Sequence, residues 1–163
     1  REGLQLYYYT QTEVMRWGFE ATASWKPLNC LKLTAEGEYL YARQLSGEKK
    51  GYGLPFSTPW SARTEVRYLL PVKDPANSGF VAVEWQVVGT QDRIVPPEKK
   101  TKGHQLLNAT VGKKFQLGNN RLELTLQAEN LLNKRYYDHT SYYRLIGVPE
   151  PGRNFSLMAT WNL

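Results

Sequence analysis

Apolar residues recur at every second position along most of this 163-residue chain. A period of two turns successive side chains to opposite faces, the pattern of strands that are apolar on one side only. Met15, Trp17, Phe19, Ala21, Ala23 and Trp25 alternate with Arg16, Gly18, Glu20, Thr22 and Ser24. Leu31, Leu33, Ala35, Gly37, Tyr39 and Tyr41 alternate with Lys32, Thr34, Glu36, Glu38 and Leu40. The pattern returns at Trp60 to Leu70, Val81 to Val87, Leu107 to Phe115 and Leu122 to Ala128, with a shorter run at Leu4 to Tyr8. It ends with Phe155, Leu157, Ala159, Trp161 and Leu163 on one face and Asn154, Ser156, Met158, Thr160 and Asn162 on the other. The expectation is an all-β, antiparallel, up-and-down fold of about eight strands.

The connections alternate too. Those near 26–29, 71–78 and 116–120 are short; Pro27, unable to donate to a ladder, marks the first of them. Those near 43–58, 91–103 and 130–152 are long and hold the Gly and Pro breakers. The connection at Gln11 to Glu13 is the exception, short on the long-loop side. Short turns at one end and long loops at the other are expected of a transmembrane β-barrel, and a soluble sandwich has no reason to sort its loops so.

The aromatics bear on the same choice. Eleven Tyr and five Trp favour strands. Many sit near strand ends on the apolar face: Trp17 and Trp25, Tyr39 and Tyr41, Trp60 and Tyr68, Trp85, Trp161. Such pairs fit the girdles at two membrane interfaces. The opposite face carries both signs of charge, among them Lys32, Glu36, Arg63, Glu65, Arg67 and Glu84. It reads either as a wet lumen or as the solvated face of an open sheet. No apolar run approaches the ~18 residues of a transmembrane helix, but strands cross a bilayer with about 10 residues at low mean hydropathy.

A net charge of +6 suits an anionic partner. Lys and Arg are scattered apart from Lys49-Lys50 and Lys99-Lys100-Thr101-Lys102, so no nucleic-acid groove is expected. The Lys99 run reads as a solvated charge run or as a contact for lipopolysaccharide. Cys30 is the one cysteine and has no internal disulfide partner; its role is open. The chain begins at Arg1 without Met or a leader pattern and reads as a processed protein or a fragment.

Two segments resemble a known family. Asn130-Leu-Leu-Asn-Lys-Arg-Tyr-Tyr-Asp-His139 and Pro149-Glu-Pro-Gly-Arg-Asn-Phe155 resemble the C-terminal signature of TonB-dependent outer-membrane receptors. Leu54-Pro-Phe-Ser-Thr-Pro-Trp60, Gln91-Asp-Arg93 and Trp17-Gly-Phe-Glu20 are similar to family elements at the expected intervals. Leu163 stands where the family usually ends on Phe, and Leu132 where it usually has Phe. The resemblance implies that residues 1–163 are the C-terminal part of a barrel of about 22 strands, with the plug absent. It implies an outer-membrane location in a Gram-negative bacterium, with the C-terminus periplasmic and the long loops extracellular. The implied partners are outer-membrane lipid and lipopolysaccharide, the plug and remaining strands, the TonB complex through the plug, and the barrel-assembly machinery. The implied role is active uptake of a scarce nutrient: a ferric siderophore, haem, a metal or a corrin. Phe155, Leu157, Trp161 and Leu163 would form the assembly signal.

Tyr136, Tyr137, His139, Tyr142, Tyr143 and Arg144 form the candidate ligand loop. Tyr supplies rigid amphipathic area and Arg a fork for carboxylate or phosphate, whereas the structural alternative is that these residues pack the loop onto the strand ends. His104 and His139 are placed in different long loops, with no partners at metal-ligand spacing. Ser141 near His139 and Asp138 is adjacency, not a triad, and Glu65 beside Glu84 is flanked by Arg63 and Arg67. No catalytic residue, cofactor or metal site is expected. A free-standing eight-stranded outer-membrane barrel and a soluble carbohydrate-binding β-sandwich are the competing readings.

Overall fold

The computed structural model describes residues 11–162. Seven strands follow one another through a single antiparallel sheet: β1 (Val14–Leu28), β2 (Leu31–Gln44), β3 (Ser61–Leu70), β4 (Gly79–Val88), β5 (His104–Leu117), β6 (Asn120–Glu129) and β7 (Asn154–Asn162). Each strand pairs with its sequence neighbours, and among the described residues the sheet is open, with β1 and β7 at its edges. The expected strand at Leu4 to Tyr8, and Leu163, lie outside the described residues.

Register follows from the apolar pattern, because a slip by one residue would move a whole strand's apolar set to the wrong face. One row of paired residues crosses all seven strands: Trp25, Leu33, Val66, Val83, Ala109, Ala128 and Phe155. A second row runs through Ala23, Ala35, Thr64, Trp85 and Leu107. The apolar sets of the separate strands therefore join into one continuous face.

Nothing in the described chain covers that face. Trp25 is 65% exposed, Phe155 61% and Leu157 71%, while the buried apolar residues are only Ala42, Ala82, Val95 and Leu106. A soluble domain of this size would bury far more. An exposed apolar band this large marks an interaction surface rather than an ordinary solvated face. Trp17 and Trp25 sit on it eight residues apart, roughly 27 Å along the strand at about 3.4 Å per residue, close to the height of a membrane barrel's apolar belt.

The opposite face carries a ladder of charge. Glu36, Arg63 and Gln86 are cross-strand neighbours, and so are Thr34, Glu65, Glu84 and Asn108. Arg63 bonds Glu36 and lies 3.6 Å from Glu84, while Arg67 Nε donates to Glu65 Oε1 at 3.0 Å. Glu65 and Glu84 are directly opposed, and each has its own arginine. This is a neutralised wall rather than an acid/base pair.

The loops sort as the sequence implies. Residues 29–30, 71–78 and 118–119 join strands at one end, and 45–60, 89–103 and 130–153 at the other. One boundary differs. β1 does not turn at Lys26–Asn29 but continues to Leu28, which pairs with Leu31, and the reversal is at Asn29 and Cys30. The ladder is irregular between Trp25 and Leu28, and a bulge accepts Pro27 because no ladder bond is asked of its nitrogen.

Candidate functional site

The two long connections that flank the β5–β6 hairpin meet beyond the strand ends. Glu98, in the loop 89–103, is the centre of their contact. Its Oε1 accepts from Arg144 Nη2 at 3.1 Å and from the Phe56 backbone N–H at 3.1 Å, and lies 3.2 Å from His139 Nε2. Arg144 also donates from Nε to the His139 carbonyl (3.1 Å) and from Nη1 to the Lys99 carbonyl (3.0 Å). Thr101 Oγ1 bonds His139 Nδ1 at 2.8 Å. Three long loops are thus fastened at one buried carboxylate. Burial is the largest influence on His139, and the Arg144 cation the next; both hold it below its usual pKa, against Glu98 and Asp138. The imidazole is neutral in this setting.

A second clasp closes the loop 130–153 onto its own ends. Asn130 is buried and left-handed, at φ 48°. Its Nδ2 donates to the carbonyls of Lys134 (2.9 Å) and Pro151 (3.2 Å), and its Oδ1 accepts from Lys134 N at 2.8 Å. Asn133, at φ 49°, accepts the Arg153 backbone N–H on Oδ1 at 3.0 Å, and Arg153 Nε donates to the Leu131 carbonyl at 2.9 Å. The two quoted C-terminal segments therefore hold each other.

Between these fastenings lies a cleft of about 710 Å³, walled by residues 97–104 on one side and 134–147 on the other. Lys99, Lys100, Lys102, Lys134, Arg135 and Arg144 line it, and its one carboxylate, Glu98, is already engaged by Arg144. Tyr136 and Tyr137 form part of the same lining. Tyr136 packs at a tilt of 32° on His104, 4.2 Å between ring centroids, and its phenol is pushed up first by burial and then by Glu150. The cleft is strongly cationic with two aromatic walls, which suits an anionic ligand with flat groups.

The six residues of the candidate ligand loop divide. Tyr136, Tyr137 and Arg144 line the cleft. His139, 2% exposed, lies in the fastening beneath it. Tyr142 and Tyr143, 75% and 62% exposed, are outside the lining; Tyr142 contacts Phe56 at 5.1 Å. His104 is not a loop residue but the first of β5. Among the described residues no group of three or more His, Cys, Asp and Glu is placed to hold a metal. Phe155, Leu157 and Trp161 share the outward face of β7.

Sequence reasoning passed over Glu98, Thr101 and Phe56, whose contacts lie 38 to 46 positions away in the chain, where no periodicity reports them. Asn130 and Asn133 carried a usable signal, since Asn is the residue most tolerant of left-handed backbone after Gly.

Residues 2–131 match the family model of the TonB-dependent receptor-like β-barrel. Among solved structures the chain is similar to the copper transporter OprC, at 24% identity and a TM-score of 0.75, over 91% of this chain and 23% of that one. That likeness shows the fold, and the chain spans about a quarter of that protein's length.

Proposed function

The chain belongs to the TonB-dependent receptor β-barrel family, and from that premise we propose that it is the C-terminal third of an outer-membrane transporter barrel in a Gram-negative bacterium. The observation that carries this reading is the open seven-stranded sheet with one uncovered apolar face. Among the described residues the edges at β1 and β7 are unpaired and call for further strands, and an uncovered apolar face calls for lipid. The segment supplies barrel wall, extracellular loops and, through Phe155, Leu157, Trp161 and Leu163, an assembly signal. A plug elsewhere in the receptor closes the lumen, and the TonB complex acts on that plug to drive uptake.

The cargo is a scarce nutrient carried as an anionic complex. Six cations around the cleft disfavour a bare metal cation and favour carboxylate or phenolate groups, as on a ferric siderophore or haem. Tyr136 and Tyr137 offer faces for its aromatic parts. The fold likeness to a copper transporter does not extend to cargo. Uptake of radiolabelled ferric siderophore, haem and copper by cells with and without the receptor tests this. Energy-dependent uptake of an anionic complex, reduced at least tenfold when Lys99, Lys100 and Lys102 are changed together to Gln, is expected. Uptake of free copper alone, indifferent to those changes, would overturn the assignment of cargo.

A further inference from the structure

Away from the cleft, the outward face carries cations where an apolar barrel wall has no need of them. On β2, Tyr39, Tyr41 and Arg43 point to the same side as Phe19, Trp17 and Met15, their partners on β1. The rings pack into one cluster: Trp17 lies 5.6 Å from both Tyr39 and Tyr41, and Phe19 5.8 Å from Tyr39. The cluster sits at the long-loop end of the strands, at the level of an interfacial girdle.

Arg93 reaches down onto this cluster from the loop 89–103. Its guanidinium carbon is 5.3 Å from the Tyr39 ring centre and 5.2 Å from that of Tyr41, and Nη1 donates to the Tyr39 hydroxyl at 2.8 Å. The loop has little freedom to withdraw it. Gln91 Oε1 accepts the Arg93 backbone N–H at 3.1 Å, and Gln91 exchanges backbone bonds with Thr101 at 2.9 and 3.1 Å. Gly53 presses on the Arg93 carbonyl so closely that a Cβ there would fall 2.5 Å from it.

Arg43, Arg93 and Lys100 border one shallow outward recess of about 390 Å³ beside Tyr41 and Tyr52, in which Asp92 is the only acid among the described residues. Neither arginine has a carboxylate within salt-bridge distance among the described residues. Arg93 is exposed, and beyond the bond to Tyr39 its guanidinium makes no other hydrogen bond among the described residues, so most of its five N–H donors are free for a ligand. A bare snorkelling arginine would need no such scaffold.

We propose that this recess is a binding site for the phosphate of an outer-leaflet lipid, lipopolysaccharide being the phosphate-bearing lipid of that surface. Arg93 and Arg43 grip the phosphate as guanidinium forks, Lys100 adds charge, and the lipid's acyl chains lie along Trp17 and Phe19. The arrangement places cations just beyond an aromatic girdle, the depth at which a headgroup phosphate lies. The site is separate from the ligand cleft: of its three cations only Lys100 borders both.

The test uses the whole receptor, purified in detergent, stripped of lipid and then offered bisphosphorylated lipid A, with bound lipid counted by native mass spectrometry. R43Q/R93Q should hold at least fivefold less lipid A than wild type, while R63Q, on the opposite face, should hold the same amount. Lipid A without phosphates should bind wild type as weakly as the double variant binds the phosphorylated form. Heat-dependent gel mobility reports folding of each variant; should R43Q/R93Q not fold, R43K/R93K keeps the charge, loses the fork and is expected to bind at an intermediate level. Undiminished lipid A on a folded R43Q/R93Q receptor, or equal binding of the phosphate-free lipid, would overturn the proposal. Displacement of lipid A by millimolar inorganic phosphate would overturn the lipid assignment in favour of a free-anion site.

Discussion

Thr101 Oγ1 and His139 Nδ1 lie 2.8 Å apart, and this contact ties the loop after β4 to the loop after β6. The hydroxyl can serve either protonation form of the ring, but burial followed by the Arg144 cation holds His139 below its usual pKa. The docked loops thus prefer neutral His139, whereas undocked loops take up a proton near pH 6.5. Docking is at full strength above that pH and weakens as pH falls through about 6.5 toward the lower docked value. Hydrogen exchange in the intact receptor should show amide protection at 98–103 and 139–144 dropping between pH 7.5 and 5.5, roughly the span around that ordinary value. H139Q should flatten the slope. Protection independent of pH would show that the ring's environment does not govern docking.

Asn130 yields a larger effect. N130A removes the bonds to Lys134 and Pro151 and leaves a residue with a Cβ at φ 48°. Unpaired buried groups cost about 1–3 kcal/mol, and a non-glycine left-handed residue adds about 1 kcal/mol. N130G relieves the backbone and still loses the bonds, so it should lie between wild type and N130A. Protease nicking within 130–153, followed over time, should rank the three in that order. Equal resistance of all three would mean the clasp contributes nothing.

These two contacts mark what can be read from sequence and what cannot. The strands and their shared apolar face were legible because the apolar pattern is regular and a slipped register would expose every strand's wrong face. Val66, Val83 and Ala109 could be placed in one row from phase alone once strand order was assumed. The turn at Pro27 was misplaced because proline normally ends a ladder, and a bulge suspends that rule. Glu98 was invisible for another reason: its partners lie in Phe56, His139 and Arg144, and loops carry no period to announce such meetings.

Arg63 is a case where several contacts are expected to matter little. It bonds Glu36 and lies 3.6 Å from Glu84, yet its side chain is 50% exposed. Exposed pairs are worth about 0–1 kcal/mol because water screens them and two long side chains lose freedom. R63A should therefore lower the receptor's unfolding free energy by no more than about 1 kcal/mol, measured by urea titration in lipid vesicles. A loss several times larger would mean that the lumen wall is drier than its exposure implies.

Val83 tests which face meets lipid. It stands mid-row between Val66 and Ala109 and is 43% exposed, so in water a charge there would cost almost nothing. In a bilayer the same charge loses its hydration, and arginine at the midplane of a barrel's lipid face costs about 2–4 kcal/mol. T22K, on the opposite face and paired with Glu36, should be neutral within about 0.5 kcal/mol or slightly stabilising. The pair must be read together: V83R lowering folded yield in vesicles while T22K leaves it unchanged fixes the apolar row against lipid. The reverse order would turn the barrel wall inside out, since every other strand's phase is locked to Val83 through the ladder.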